Sequence, residues 1–403
     1  MSTTIATPAK KATYKPLELF DTDRLLDDDE RDIAATVRKF VDTRLKPNVE
    51  EWFESATLPR ELAKEFGDLG VLGMHLDGYG CAGTNAVSYG LACMELEAGD
   101  SGFRSFVSVQ GSLSMFSIHR YGSEDQKNEW LPRLAAGDAI GCFGLTEPDF
   151  GSNPAGMRTR ARRDGGGENA DWVLNGTKMW ITNGNLADVA TVWAQTDDGI
   201  RGFLVPTDTP GFTANEIHRK LSLRASVTSE LVLDNVRLPA SAQLPGAVGL
   251  GAPLSCLNEA RFGIVFGALG AARDSLETTI DYTQSREVFD SPLASYQLTQ
   301  EKLANMTVEL GKGMLLALHL GRIKDAEGVR PEQVSLGKLN NVREAIAIAR
   351  ECRTLLGGSG ITLEYSPLRH ANNLESVLTY EGTSEMHLLS IGKALTGIAA
   401  FRS

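Results

Sequence analysis

Apolar residues between about Asp29 and Asp138 recur at helix spacing, as Ile33, Val37, Phe40 and Val41 and again as Leu62, Phe66 and Leu69, with Gly70, Gly73 and Gly80 as stops. This stretch is expected to be helical. From about Cys142 to Pro239 the pattern shortens to β-rich runs. Asn175-Gly176, between Trp172-Val173-Leu174 and Lys178-Met179-Trp180-Ile181, predicts a hairpin. Further strands are expected at Val189 to Gln195, Gly202 to Val205 and Glu230 to Leu238. After Pro245 three long helical stretches follow, about Leu257 to Arg286, Leu298 to Asp325 and Glu332 to Leu356, whose lengths suit an antiparallel bundle. The division that results is a flexible tail over 1–25, a helical domain over 26–140, a β domain over 141–245 and a second helical domain over 246–403.

With 403 residues, 42% hydrophobic and 23% charged, the chain can bury a large core and is too long for one compact unit. A net charge of -12 and a pI near 5.1 argue against a nucleic-acid binder, which needs a basic face. A polyanionic ligand stays open if cations cluster locally. Five scattered cysteines without CxxC spacing indicate neither a disulfide framework nor a zinc site, and the six histidines form no HExxH pair. No metal is expected, and a reducing compartment is: the cytoplasm of a bacterium, or the mitochondrial matrix of a eukaryote.

The apolar run Phe262 to Ala272 has about half the length needed to cross a bilayer and holds three glycines, so it reads as a buried helix and no membrane insertion is expected. Lys10, Lys11 and Lys15 stand in a stretch without an apolar h-region, which excludes a secretory signal and leaves a transit peptide open. Asp27-Asp28-Asp29-Glu30 suits a helix N-terminus. Gly165-Gly166-Gly167 reads as an exposed loop tip.

Glu381, in Thr379-Tyr380-Glu381-Gly382-Thr383, is an acid between an aromatic and a glycine with few cations nearby in sequence. Such a carboxylate is placed to lose its water and become a general base, although the pentapeptide alone fits a solvent-facing helix end better. A second constellation is Cys142-Phe143-Gly144-Leu145-Thr146-Glu147-Pro148-Asp149-Phe150-Gly151-Ser152 with Trp180-Ile181-Thr182-Asn183. Its backbone N–H groups and hydroxyls can satisfy the edge of a planar heterocycle, on which Trp180 could stack; a core tryptophan is the plainer reading.

Taken together, these motifs resemble the acyl-CoA dehydrogenase family of flavoproteins from about residue 25 to the end of the chain. The resemblance implies an α+β multidomain fold: an N-terminal all-α domain, a middle β-barrel and a C-terminal four-helix bundle, assembled as a homotetramer around FAD. By position, Phe143, Leu145, Thr146, Gly151 and Ser152 would line the flavin's polar edge, and Trp180, Ile181 and Thr182 its ring. Arg286, Phe289 and Gln297 match the segment that reaches a partner subunit's FAD, Thr354, Leu356, Gly357 and Gly358 the pyrophosphate loop, and Thr383 a further FAD contact. Glu381 falls on the family's base. Arg261 matches an arginine near that base and CoA, with a structural ion pair as the other reading.

Within the family the chain is most similar to the branch acting on glutaryl-CoA. There the match to Arg104, with Ser105 and Ser108, faces a distal carboxylate, and a monocarboxylyl chain would leave the cation unpaired. Glu97 and Tyr380 match the decarboxylating enzymes, so oxidation of glutaryl-CoA to crotonyl-CoA and CO2 is implied, with Ser152 and Gly382 also touching substrate and an electron transfer flavoprotein as acceptor. Departures from the family pattern are Arg286-Glu287-Val288-Phe289-Asp290 where glutamine and glycine are usual, Asn153 where Asp is common, and Gly111 and Ser114 in the pocket. A dehydrogenase for a short saturated or branched monocarboxylyl-CoA, an acyl-CoA oxidase, and a non-catalytic acyl-CoA or flavin-binding scaffold remain as alternatives.

Overall fold

The computed structural model describes residues 14–165, 167 and 170–400. Twelve α-helices run as α1 (Asp28–Phe40), α2 (Lys46–Ser55), α3 (Leu62–Asp68), α4 (Ala86–Gly99), α5 (Ser101–Ser108), α6 (Phe116–Tyr121), α7 (Glu124–Ala135), α8 (Gly251–Ser285), α9 (Gln297–Glu327), α10 (Pro331–Leu355), α11 (Ser366–Thr379) and α12 (Ser384–Thr396) among these residues. The acidic start of α1 is a capping box: Asp27 Oδ1 accepts from Glu30 N at 2.9 Å and the Glu30 carboxylate accepts from Asp27 N at 3.0 Å. The expected tail lies outside the described residues as far as residue 13. It is corrected for Pro16–Phe20 and Thr22–Leu25, which form two 3-10 turns, the first resting on α9 where Gly311 leaves room for the Phe20 ring.

Between the two helical regions lies a curled seven-stranded sheet: β1 (Gly141–Gly144), β2 (Arg160–Asp164), β3 (Asp171–Thr182), β4 (Val189–Thr196), β5 (Gly199–Pro206), β6 (Phe212–Glu216) and β7 (Thr228–Leu238). Strand order is β1-β4-β2-β3-β7-β6, with β5 antiparallel on the other edge of β4. The hairpin expected at Asn175-Gly176 is a correction: β3 runs straight through it as a bulge. Asn175 Oδ1 accepts from Asn235 N on β7 at 2.9 Å, while Gly176 at φ 152 passes so close to Thr159 that a Cβ would lie 2.4 Å from its Oγ1. Pairing on both sides outweighs the turn signal of the dipeptide. A hairpin forms instead at β8 (Glu287–Val288) and β9 (Ser291–Pro292), whose loop residues Phe289 and Asp290 both take positive φ, 49 and 61.

The two helical regions share one core. All of α4 is buried, and α8 is buried almost continuously from Phe262 to Leu276, as its apolar run predicts. The glycines at this contact have a physical reason: a Cβ at Gly270 of α8 would lie 1.8 Å from Met94 O, and one at Gly90 of α4 2.5 Å from the Phe266 ring. Their absence of side chains lets α4 and α8 touch along their backbones, and that contact carries the residues described next.

Candidate active site

Helix α11 ends at Thr379, where Tyr380 N still donates to Ser376 O at 2.9 Å. Tyr380 is extended, then Glu381 and Gly382 take φ of 53 and 98, and Thr383 caps α12 by accepting from Met386 N at 3.4 Å. A left-handed glutamate is strained by about 1–3 kcal/mol unless its surroundings fix it. They do: Lys338 Nζ on α10 donates to Tyr380 O and Gly382 O, both at 2.6 Å, and Arg261 Nε on α8 donates to Glu381 O at 2.6 Å. Arg261 therefore meets the loop as a donor to a carbonyl, which corrects the ion-pair reading.

The Glu381 Oε2 atom is buried with no hydrogen-bond partner, and the Glu381 N–H donates to no group, among the described residues. Burial pushes the carboxyl above its usual range, against the pull of Arg104, Lys338 and Arg261, with Glu97 adding to the rise. Burial likewise brings the Lys338 ammonium down to about 7 and His387 down to about 3. A carboxylate with one buried, unpartnered oxygen, near cations whose donors go to backbone (Lys338, Arg261) or to other side chains (Arg104) instead of to its own oxygens, has the chemistry of a general base.

Arg104 and Glu97 form a buried pair, Nε to Oε2 2.7 Å, with Ser101 Oγ donating to Glu97 Oε1 at 2.8 Å. Arg104 Nη2 donates to Tyr380 OH and its guanidinium lies 5.6 Å over that ring; Ser105 Oγ is 3.3 Å from the same hydroxyl. This corrects the expectation that a ligand without a distal carboxylate would leave Arg104 without a counter-charge. Arg104 Nη1 makes no hydrogen bond among the described residues, and Ser108 Oγ is buried without a partner, so donor capacity remains beside the pair.

On the sheet side, Phe143 and Leu145 are buried in β1 and the turn after it, Thr146 is half-buried, and Gly151 and Ser152 are exposed. Ile181 is buried, Thr182 half-buried, and Trp180 is 60% exposed with φ 65, so the core reading of this tryptophan is corrected. A strained, solvent-facing tryptophan beside the buried and wholly unpartnered side chain of Asn183 is the surface an aromatic cofactor needs. The pair Glu147–Lys178 shapes this wall from behind. Lys178 Nζ reaches Glu147 Oε1 at 2.9 Å and Leu145 O at 3.1 Å, and the carboxylate accepts from Arg158 N and Thr159 N at 2.6 and 2.9 Å. The wall abuts α5, since Asn183 N donates to Val227 O and Gly102 passes within 2.0 Å, measured from an added Cβ, of Ala225 O.

A separate cavity of about 350 Å³ brings Arg286 together with Leu356, Gly357 and Gly358. Gly357 and Gly358 have open space where a Cβ would stand, and Arg286 is exposed. Phe289 is 90% exposed at the β8–β9 tip, and Gln297 is exposed at the start of α9. The Thr354 hydroxyl donates to Arg350 O at 3.0 Å in its own helix. Sequence reasoning gave no role to Lys338, His387 or the Glu147–Lys178 pair. Only Glu147 and Lys178, inside or beside the flagged motifs, carried a signal that could have found them.

A helical domain, a curled sheet and a helical bundle, with a partly buried carboxylate carrying an unpartnered oxygen where the two helical regions meet, define an acyl-CoA dehydrogenase. Sequence models of the N-terminal, middle and C-terminal acyl-CoA dehydrogenase domains match residues 27–138, 142–236 and 248–396, and the chain belongs to that family. A glutaryl-CoA dehydrogenase from Mycobacterium smegmatis, solved in complex with FADH2, is 94% identical, covering 97% of this chain and 100% of that one with a TM-score of 0.95. A glutaryl-CoA dehydrogenase structure from the same organism at 69% identity has the same coverage and TM-score. The human short-chain specific acyl-CoA dehydrogenase, mitochondrial, is 34% identical over 398 residues, 97% of this chain and 93% of its own.

Proposed function

We propose that this acyl-CoA dehydrogenase oxidises glutaryl-CoA and decarboxylates the product, giving crotonyl-CoA and CO2, with Glu381 as the base. The observation that carries the reading is the juxtaposition of Glu381 with the Glu97–Arg104–Tyr380 cluster through adjacent residues of one loop. FAD, when bound against Phe143, Thr146, Trp180 and Thr182, supplies the acceptor for the β-hydrogen as hydride. The free Glu381 N–H donates to the thioester carbonyl, which acidifies the α-carbon, and the Glu381 carboxylate takes the α-proton. Arg104 Nη1 and the Ser105 and Ser108 hydroxyls orient the distal carboxylate. Because Glu97 already neutralises Arg104, that carboxylate is positioned without being strongly stabilised as an anion, which favours its loss as CO2. The electron pair passes into the thioester, and the protonated Glu381 returns its proton to the resulting dienolate.

Arg286, Phe289 and Gln297 on one subunit, with Thr354 to Gly358, serve the adenosine and pyrophosphate part of FAD in a homotetramer, and an electron transfer flavoprotein reoxidises the enzyme in a reducing compartment. Product identification after anaerobic incubation with glutaryl-CoA and an artificial electron acceptor tests the proposal. Crotonyl-CoA supports it, glutaconyl-CoA removes the decarboxylation, and absence of product removes the substrate. A short monocarboxylyl thioester is the second reading, favoured by the self-neutralised Glu97–Arg104 pair; faster turnover of butyryl-CoA or isobutyryl-CoA would select it. Rapid reaction of the reduced enzyme with oxygen would make it an oxidase.

A further inference from the structure

Three successive carbonyls, Tyr380 O, Glu381 O and Gly382 O, each accept a hydrogen bond of 2.6 Å from a cation on the helical core, two of them from Lys338. Lys338 is 1% exposed, has no carboxylate within ion-pairing distance among the described residues, and lies 6.0 Å over the Tyr380 ring. A buried ammonium without a salt-bridge partner is retained against a desolvation cost, so its work must lie in what it touches. What it touches is the backbone on both sides of the one residue whose carboxylate faces the α-carbon. Two carbonyls aimed at one ammonium force the chain between them to turn back, which is the left-handed conformation of Glu381 and Gly382. Arg261 closes the third side.

We propose that Lys338 is the positioning residue of the base: its ammonium clasps Tyr380 O and Gly382 O, holding the Glu381 carboxylate in line with the substrate and its N–H free for the thioester carbonyl. The inference rests on the reading of Glu381 as base. The charged and titratable groups facing the carboxylate from the packed elements are Arg104 of α5, Arg261 of α8, Glu97 and Cys93 of α4 and Lys338 itself, beside Tyr380. Lys338 and Arg261 have their donors on the loop's own backbone, so they favour the ionised base without quenching it by a direct bond.

Lys338→Met and Lys338→Gln in the FAD-loaded protein test this against Lys338→Arg, which keeps the charge. Loss of two charge-assisted bonds should speed amide hydrogen exchange in the 380–386 peptide by about tenfold or more in Lys338→Met, less in Lys338→Gln and least in Lys338→Arg. FAD content should be unchanged. Without the cation Glu381 holds its proton more tightly, so the acid limb of flavin bleaching by an acyl-CoA should move to higher pH in the Met and Gln variants and stay in place in Lys338→Arg. Unchanged exchange and an unchanged acid limb in Lys338→Met, or in Lys338→Gln if the former does not fold, overturn the clasp. Glu381→Gln that still bleaches overturns instead the reading of the base, and leaves the exchange result standing.

Discussion

Glu97 and Arg104 close on each other inside the helical core, Oε2 to Nε 2.7 Å, with side-chain exposures of 0% and 1%. The pair spans the break between α4 and α5 at Asp100, whose side chain caps α5 by accepting from Gly102 N at 2.8 Å. Burial works against the Arg104 charge, and Glu97 and then Tyr380 hold it well above its usual range, so it stays a cation throughout. The pair is thus a fixed dipole with spare donors beside it.

Removing the cation should therefore have two effects that can be separated. Arg104→Ala leaves Glu97 buried and unpaired, and is expected to lower stability by about 3–5 kcal/mol. It should also lower kcat/KM for glutaryl-CoA by about a hundredfold or more, while butyryl-CoA, which asks nothing of the guanidinium, loses only what the disturbed packing costs. Thermal melts and paired kinetics with the two thioesters check this; equal losses for both would remove the carboxylate role.

The pair exists only because α8 leaves space for it. A Cβ at Gly267 would lie 2.2 Å from Glu97 Oε2 and 3.2 Å from Arg104 Nε. Gly267→Ala is expected to cost about 1–3 kcal/mol as an overpacked core and to displace the carboxylate from the guanidinium. The measurable sign is a fall in glutaryl-CoA turnover with FAD retained.

Glu381→Gln removes the base and keeps the shape of its side chain. FAD should stay bound while bleaching by substrate slows by about a hundredfold or more. On the proposed reading only the Glu381 carboxylate accepts the α-proton, and burial raises its pKa above the usual carboxylate range. Bleaching should therefore fall as pH drops, beginning above the pH of an ordinary glutamate. A rate flat down to about pH 4 would contradict the desolvated base.

Much of this molecule was legible because it is periodic. The long helices α8, α9 and α10 begin and end within a few residues of the stretches expected for them, and the glycine-bearing run from Phe262 reads as buried because its apolar residues occupy every face. Arg104 stood out as a cation among Gly, Phe, Ser and Val. Its partner could not be read the same way, because whether Glu97 points at Arg104 depends on the missing side chain of Gly267 on a distant helix. Asn175-Gly176 misled for a related reason: the local turn preference is real, but pairing to β2 and β7 decides the outcome. Lys338 left no local trace at all, since the carbonyls it holds lie 42 and 44 residues along the chain.

A second buried carboxylate gives a stability prediction independent of catalysis. Glu95 on α4 receives Arg38 at 3.0 and 2.7 Å and Arg273 of α8 at 2.7 and 2.6 Å, tying the first helix to the bundle. Burial alone would raise its pKa; the two guanidinium groups, Arg273 first, overcome that and bring it down to about 2. An unfolded glutamate titrates near 4.5, so the folded state binds its proton less readily. The resulting stability is fully present above that pH and is lost as pH falls through 4.5 toward 2, by about 3 kcal/mol in all. Glu95→Gln should cost about 3–5 kcal/mol at neutral pH, because Arg273 is left buried without its counter-charge, and should flatten the acid dependence of Tm over that interval. Melting curves from pH 7 down to about 3 distinguish the outcomes: a variant as acid-sensitive as the parent would mean that other carboxylates, not this one, set the acid limit of the fold.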